Sequence, residues 1–552
     1  MSHSLQPFRR LTRHLTIERP IIFTIIIYSI AIGLLSLAFP IATQSLVNTI
    51  AFGNIYQPIV VLTTIVAVVL IVASTLQSLR VWVVEVLQQR LFVRVASDTV
   101  NRLLRARGDA FEEHHGPELV NRFFDVVTLQ KAAASLLIDG LTIVMQSTIG
   151  LVLLALYHPW LLAFDLFLLA AILFIIFPLG RGAVTTAIVE SRAKYEVLAW
   201  FEEIARHHIT FKSPDAARLA LTRADELTGR YLSHRKQHFR ILFRQVVGSY
   251  ALHAIASATL LGVGGFLVIN RQLTLGQLVA AELVVEMVVI GFSKLGKHLE
   301  SYYDLLAAID KLGYIEDLPL EPDPPVPTPA VSRAPAEAAL RGISLSYGVK
   351  PVFLNTSMDI RPGLCIGLSG WSGNGKSTLL DLFYGLREPS TGVVEIDSID
   401  LREWDRAKLR QQVMLIRSAE IFEGTILDNL QLGNQAVDLM EVRRALEKVG
   451  LLADVQAFPE GLNTELSTGG RPLSEGQAMR LVFARALVRR PRFLLIDEAL
   501  DSIKDAPGAD VLMQSLFAKD KPWTLIVASA SPDLLARCDA IYEIQDLQVV
   551  KV

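Results

Sequence analysis

Six stretches of this chain are apolar for long enough to cross a bilayer, which takes about 20 residues of helix. They fall near residues 21–46, 58–83, 136–157, 160–180, 246–269 and 276–296. With 552 residues, 51% of them hydrophobic and 20% charged, the chain is too long for one core and too apolar for an ordinary soluble protein. The third and fourth stretches are parted only by YHPW, around His158 and Pro159. One set of connections is short and nearly uncharged (NTIAFGNIYQ, YHPW, NRQLTLG), and the other is long and basic, as in QQRLFVRVASDTVNRLLRAR. The positive-inside rule then puts the long loops and both chain ends in the cytoplasm. Helical periodicity continues past the second and fourth stretches without a break, which predicts spans that run on beyond the membrane. The opening MSHSLQPFRRLTRHLTIERP is basic and amphipathic, and it reads as an interfacial helix rather than a cleavable signal.

Composition shifts at residues 316–339, where EDLPLEPDPPVPTPAVSRAPAEAA carries seven prolines and predicts a semi-extended linker. The expected organisation is a helical membrane domain over 1–315, the linker, and a soluble α/β domain over 340–552. In that last part, short apolar strands such as FLLID and TLIVAS alternate with helical stretches. It contains LSGWSGNGKSTLL, a complete G-x-x-x-x-G-K-S phosphate loop: Gly370, Trp371, Ser372, Gly373, Asn374, Gly375, Lys376 and Ser377, followed by Thr378. Glycines let backbone N–H groups curl around phosphates. Lys376 would meet the β and γ oxygens, and the Ser377 hydroxyl would hold Mg²⁺.

Downstream, RFLLIDEAL places Asp497 and Glu498 at the end of a buried strand. The first carboxylate suits the magnesium shell, and the second can polarise an attacking water. Between loop and strand, Leu473-Ser474-Glu475-Gly476-Gln477 precedes a helix, and Tyr347 lies 23 residues before Gly370, placed to stack on an adenine. With six spans and a linker, these motifs make nearly the whole chain resemble the ATP-binding cassette (ABC) exporters, as a half-transporter of the type I kind with a fused ATPase domain. FEEHHGPELVNRFFDVVT, with Gly116, Leu119 and Arg122, is similar to the family's first coupling segment, and LTLGQLVA (273–280) to the start of its last span. The resemblance implies a dimer in which each ATP lies between one chain's phosphate loop and the other's signature, Ser474 to Gln477. It also implies export, in a bacterial inner membrane.

The departures from that pattern are specific. The strand that should end before a histidine reads TLIVASASPDL and puts Ala530 there; all eleven histidines lie within residues 1–298. VMLIRSAEIFEGTI (413–426) lacks the glutamine of its loop and offers Arg417 or Ser418. Asp501-Ser502-Ile503-Lys504 stands where the family has S-A-L-D, so a base replaces an acid, and Glu475 replaces a signature glycine. A carboxylate about 4 Å from a phosphate charge costs about 1 kcal/mol in water and about 4 near a protein surface. Each lost transition-state donor costs about 10²–10³ in rate. The expectation is a chain that binds ATP with Mg²⁺ and hydrolyses it slowly. It would work in a heterodimer with an intact second half in preference to a homodimer; a regulatory half or a nucleotide-gated conduit are the rival readings.

Glu282 and Glu286 share one helix face in the last span. They either line a cavity for a cationic or amphiphilic cargo or sit near the outer water layer. Asp165 and His253 read as helix–helix hydrogen-bonding partners. His114 and His115, beside Glu112 and Glu113, are adjacent on a loop and converge poorly on a metal. Cys365 and Cys538 form no metal or disulfide pattern and read as small buried hydrophobes. A net charge of −2 gives no general nucleic-acid surface.

Overall fold

A computed structural model describes residues 6–52, 57–113, 116–322 and 332–552. His114 and His115 lie outside the described residues. The chain divides into two compact units, Met1–Ala106 with Glu113–Pro319, and Arg107–Glu112 with Leu320–Val552.

The described residues of the first unit are built of helices joined by turns. Among the described residues, six helical rods are long and apolar enough to cross a membrane: Arg19–Ile50, Gln57–Arg105, Leu119–Tyr157, Pro159–Ile176, Pro214–Ile269 and Leu275–Glu316. A helix satisfies its own backbone polar groups, the requirement hydrocarbon imposes on any crossing segment. The second rod runs 49 residues and the fifth 56, so these spans do continue far beyond bilayer length. The fourth does not. Its helix stops at Ile176, and residues 177–182 are turns before a new helix, Ala183–Arg206. Pro178 cannot continue the ladder, and Gly182 holds φ +87°, which costs a residue with a Cβ. The last rod is interrupted at Lys294, between Leu275–Ser293 and Leu295–Glu316. At the tight turn between the third and fourth rods, His158 caps the helix that follows. Its Nδ1 accepts from Trp160 N at 3.2 Å, and Pro159 fills the first helical position.

The core of this unit is aliphatic and includes Leu154, Leu168, Ala256, Leu260 and Val284, each essentially inaccessible. The second rod contributes little to it: none of its most apolar 18-residue window is buried within the chain. Val60, Val61, Ile65, Val68 and Ile71 are exposed along it. At its middle, Arg80 is only 1% exposed and donates to the Ser29 and Thr142 hydroxyls, a buried cation that no apolar run signals in the sequence. The opening helix, Gln6–Ile17, packs Leu11 onto the cluster of Val95, Val126, Leu305 and Ile309.

The second unit is an α/β domain with twelve strands among the described residues: β1 (Ala338–Tyr347), β2 (Lys350–Ile360), β3 (Cys365–Ser369), β4 (Thr391–Ile396), β5 (Ile399–Asp400), β6 (Val413–Ile416), β7 (Gly424–Thr425), β8 (Glu465–Leu466), β9 (Phe493–Asp497), β10 (Thr524–Ala528), β11 (Ala540–Gln545) and β12 (Gln548–Lys551). The central sheet runs β12-β11-β3-β10-β9-β6, parallel from β11 to β6. Every residue of β9 and β10 is buried, which is why they read as unbroken apolar runs. An antiparallel sheet, β2-β1-β4-β5, packs beside it. Of the proline-rich stretch, Leu318 is buried in the first unit. In the second, Ala336 is buried and Glu321 pairs bidentately with Arg410, so its described ends are packed rather than extended.

Asp165 departs from its expected role. It is buried among the apolar side chains of the fourth rod, and neither carboxylate oxygen has a hydrogen-bond partner. A buried polar group left unmade costs about 1–3 kcal/mol. Asp165→Leu is therefore expected to raise the thermal unfolding midpoint of the purified chain in detergent; a lowered midpoint would mean the carboxylate has a stabilising partner.

Candidate functional site

Parallel register assembles the site. Ile416 pairs with Ile496 and Ala528 with Asp497, so the residues that leave the carboxyl ends of β6, β9 and β10 emerge side by side. The phosphate loop leaves β3 next to them and turns into the helix Lys376–Tyr384. The turn depends on Gly375, which holds φ +101°; a Cβ there would sit 2.8 Å from Val352 Cγ1. The helix presents its unpaired first-turn N–H groups and positive end at the loop, a ready anion cradle. The Lys376 Nζ donates to the carbonyls of Gly370 (2.9 Å) and Trp371 (3.2 Å) and lies 3.2 Å from Glu498 Oε1. Gly370, Ser372, Gly373, Asn374, Ser377 and Thr378 complete the loop and first turn, with Asn374 tied to the Ile544 carbonyl at 3.3 Å. These residues fit a triphosphate.

Tyr347 stands at the edge of this loop. Its hydroxyl is 3.1 Å from Thr378 Oγ1, and the Arg387 guanidinium lies 4.5 Å from its ring centroid, covering one face. Glu498, half-exposed at the tip of β9, holds φ +55°. The expected signature forms the start of the helix Glu475–Val488. The Ser474 hydroxyl accepts from Gln477 N, and the Gln477 side chain accepts from Ser474 N, a reciprocal cap. Glu475 and Gly476 occupy its first turn, where an acid complements the helix dipole.

Ser377 and Asp497, the pair expected to hold magnesium, are together: Ser377 Oγ donates to Asp497 Oδ1 at 3.1 Å. The other oxygen is taken. Arg417 Nε donates to Asp497 Oδ2 at 2.5 Å, and its Nη2 donates to Asp381 Oδ1 at 2.7 Å and to the Ser377 carbonyl at 3.4 Å. A guanidinium carries no lone pair to offer a metal. The residues present therefore do not fit the ion, because the carboxylate that would bind it is engaged by a fixed cation. Asp381, four residues after Ser377 on the same helix face, is the participant the sequence reading missed; its i, i+4 spacing was the available signal.

Beside them, Ser529, just before Ala530, is fully buried and donates to Asp501 Oδ1 at 2.7 Å, and it also accepts from Ser531 N at 2.9 Å. The two segments that depart from pattern, after β9 and after β10, are thus joined by one hydroxyl. Glu282 and Glu286 belong to the first unit. Glu282 is half-buried with Oε2 unpartnered, and Glu286 is exposed on the same helix. Among the described residues no cluster of metal-binding side chains occurs.

Six membrane-length helices and a phosphate-loop domain of this topology define a nucleotide-driven membrane transporter. The ABC transporter profile matches residues 353–501, and the ABC transporter transmembrane region profile matches residues 22–290. The chain belongs to the ABC transporter family, as an exporter half with its membrane region and ATP-binding domain fused. It is 24% identical to the lactococcin-A transport/processing ATP-binding protein of Lactococcus lactis subsp. lactis, over 92% of this chain and 71% of that protein. It is 24% identical to the alpha-hemolysin translocation ATP-binding protein of Proteus vulgaris, over 97% and 75%. It is 26% identical to the ATP-dependent lipid A-core flippase of Vibrio vulnificus (strain CMCP6), over 80% and 76%. A bacterial Atm1-family ABC exporter solved with ATP bound shares the fold, with a TM-score of 0.86 over 97% of this chain and 95% of that one at 19% identity.

Removing the Ser529 hydroxyl leaves Asp501, whose Oδ2 is already unpartnered, with no bond at either oxygen. Ser529→Ala is expected to destabilise the domain by about 1–3 kcal/mol. Ser529→Ala with Asp501→Ala should cost less than the two single changes added together, measured as a double-mutant cycle on thermal midpoints.

Proposed function

We propose that this chain is the slow half of a two-part exporter: it holds ATP on its own phosphate loop, turns it over poorly, and pairs with a different half that supplies the faster site. The observation that carries this reading is Ala530. A methyl group stands at the end of β10 where the family places a donor to the γ-phosphate, and residues 340–552 contain no histidine to replace it. Arg417 compounds the defect by engaging Asp497.

In this reading Lys376 and the loop N–H groups bind and neutralise the phosphates, and Tyr347 packs on the base with its free face. Glu498 is aimed at the loop but is held by Lys376, so its work as a general base starts from an ion pair. Ser474 and the helix end behind it close on the partner's nucleotide, so the faster composite site uses this chain's signature. The segment FEEHHGPELVNRFFDVVT (111–128), similar to the family's first coupling segment, would pass closure to the spans. ABC exporters work as dimers; the heterodimer is the arrangement in which a retained Lys376 and an intact Ser474–Gln477 cap both keep a use. The domain with Lys376 and both chain ends would face the cytoplasm of a bacterial inner membrane. Glu282 and Glu286 are the proposed contacts for a cationic or amphiphilic cargo, since one has a buried oxygen in need of a donor.

The purified chain alone is expected to bind ATP yet show steady-state hydrolysis about 10²–10³ below an intact exporter half, the cost of one missing donor. Affinity purification from the native host should return a second half-transporter at equal stoichiometry. Brisk turnover by the lone chain, or recovery of self-pairs alone, would sink the proposal.

A further inference from the structure

The Arg417 side chain has a location that neither slow hydrolysis nor pairing with a partner requires. Its backbone position is fixed, because it follows Ile416, which pairs with Ile496 one residue before Asp497. From there the guanidinium bridges two carboxylates on different elements, Asp497 at the end of β9 and Asp381 on the helix after the phosphate loop, and reaches the Ser377 carbonyl. Asp381 is further braced by Arg387, 3.6 Å from its other oxygen. Arginine stays protonated throughout the accessible pH range. A permanent positive charge therefore sits beside Ser377 and Asp497, on the carboxylate oxygen that Ser377 does not use, where the two groups would otherwise share a divalent cation.

We propose that Arg417 is a built-in cation that replaces magnesium at this nucleotide site, so that the phosphate loop binds nucleoside triphosphate without a metal. The inference rests on the reading of residues 370–378 as a triphosphate site and adds the counter-ion. Three features act together. The guanidinium neutralises Asp497, which removes the carboxylate as a metal anchor. Its charge repels a divalent ion from the space beside Ser377. With Lys376 it leaves two fixed cations at the loop to offset the charge of a bare triphosphate. A glutamine at the same position would do none of these things, since its amide is neutral and offers an oxygen to a metal.

The test uses the purified full-length chain in lipid nanodiscs, with ATP as the ligand and Mn²⁺ as the metal probe. Wild type is expected to bind ATP with affinities within about threefold in excess EDTA and in excess Mg²⁺. By paramagnetic resonance it should bind no Mn²⁺ beyond what free ATP takes up. Arg417→Gln should create metal dependence, binding ATP about 10- to 100-fold more weakly in EDTA than with Mg²⁺ and gaining a bound Mn²⁺ signal. Lys376→Ala should weaken ATP equally with and without metal. If EDTA strips ATP from the wild type as it does from Arg417→Gln, or if the wild type binds one Mn²⁺ per ATP, the proposal is wrong while the triphosphate site stands. If wild type takes up no ATP in either condition, the reading of the phosphate loop fails and the inference with it. The wild-type titrations decide the matter even if the variant does not fold.

Discussion

The two central parallel strands, β9 and β10, are buried on both faces and leave no room for a charge before their last residues, and this constraint organises the site of the second unit. Phe493 to Ile496 and Thr524 to Ala528 are inaccessible, so polar chemistry begins only where each strand runs out. Asp497, Arg417, Ser529 and the phosphate loop all lie at carboxyl ends for that reason, and strand register sets which of them meet. The Arg417–Asp497 pair follows from the alignment of β6 with β9 together with the choice of an arginine.

The membrane half obeys a different accounting. Its helices satisfy their own backbones, so packing among them is free to be uneven. The fourth, fifth and sixth rods share an aliphatic core, while the second stands largely outside it. Polar side chains at depth divide sharply: Arg80 is bonded to two hydroxyls, whereas Asp165 has no partner at either oxygen. Burial alone does not distinguish the two; the presence of Ser29 and Thr142 within reach does.

What was legible in the sequence was local or periodic. The phosphate loop, the signature cap and the six long apolar runs each depend on residues near one another in the chain, and each was readable there. Contacts between distant segments were not. Arg417 was visible as a foreign residue in its loop, but its grip on Asp381 and Asp497 depends on three elements meeting. Cys365 and Cys538, which form no spacing pattern, bring their sulfurs to 3.1 Å because β3 pairs with β11. The break after Ile176 was hidden by continuing helical periodicity on both sides, although Pro178 and Gly182 marked it. The sixth rod runs on to Glu316, through a polar stretch in which no apolar run marks the helix.

The rod Gln57–Arg105 keeps its apolar window wholly outside the core of its own chain. Shape complementarity within the chain therefore places almost no demand on residues such as Val60, Ile65 and Val68, and only oiliness does. Swaps among valine, leucine and isoleucine there disturb no packing within the chain, whereas a single lysine would set a charge into the apolar face of a membrane-length helix. Within the chain, such a stretch is constrained in character and hardly at all in size.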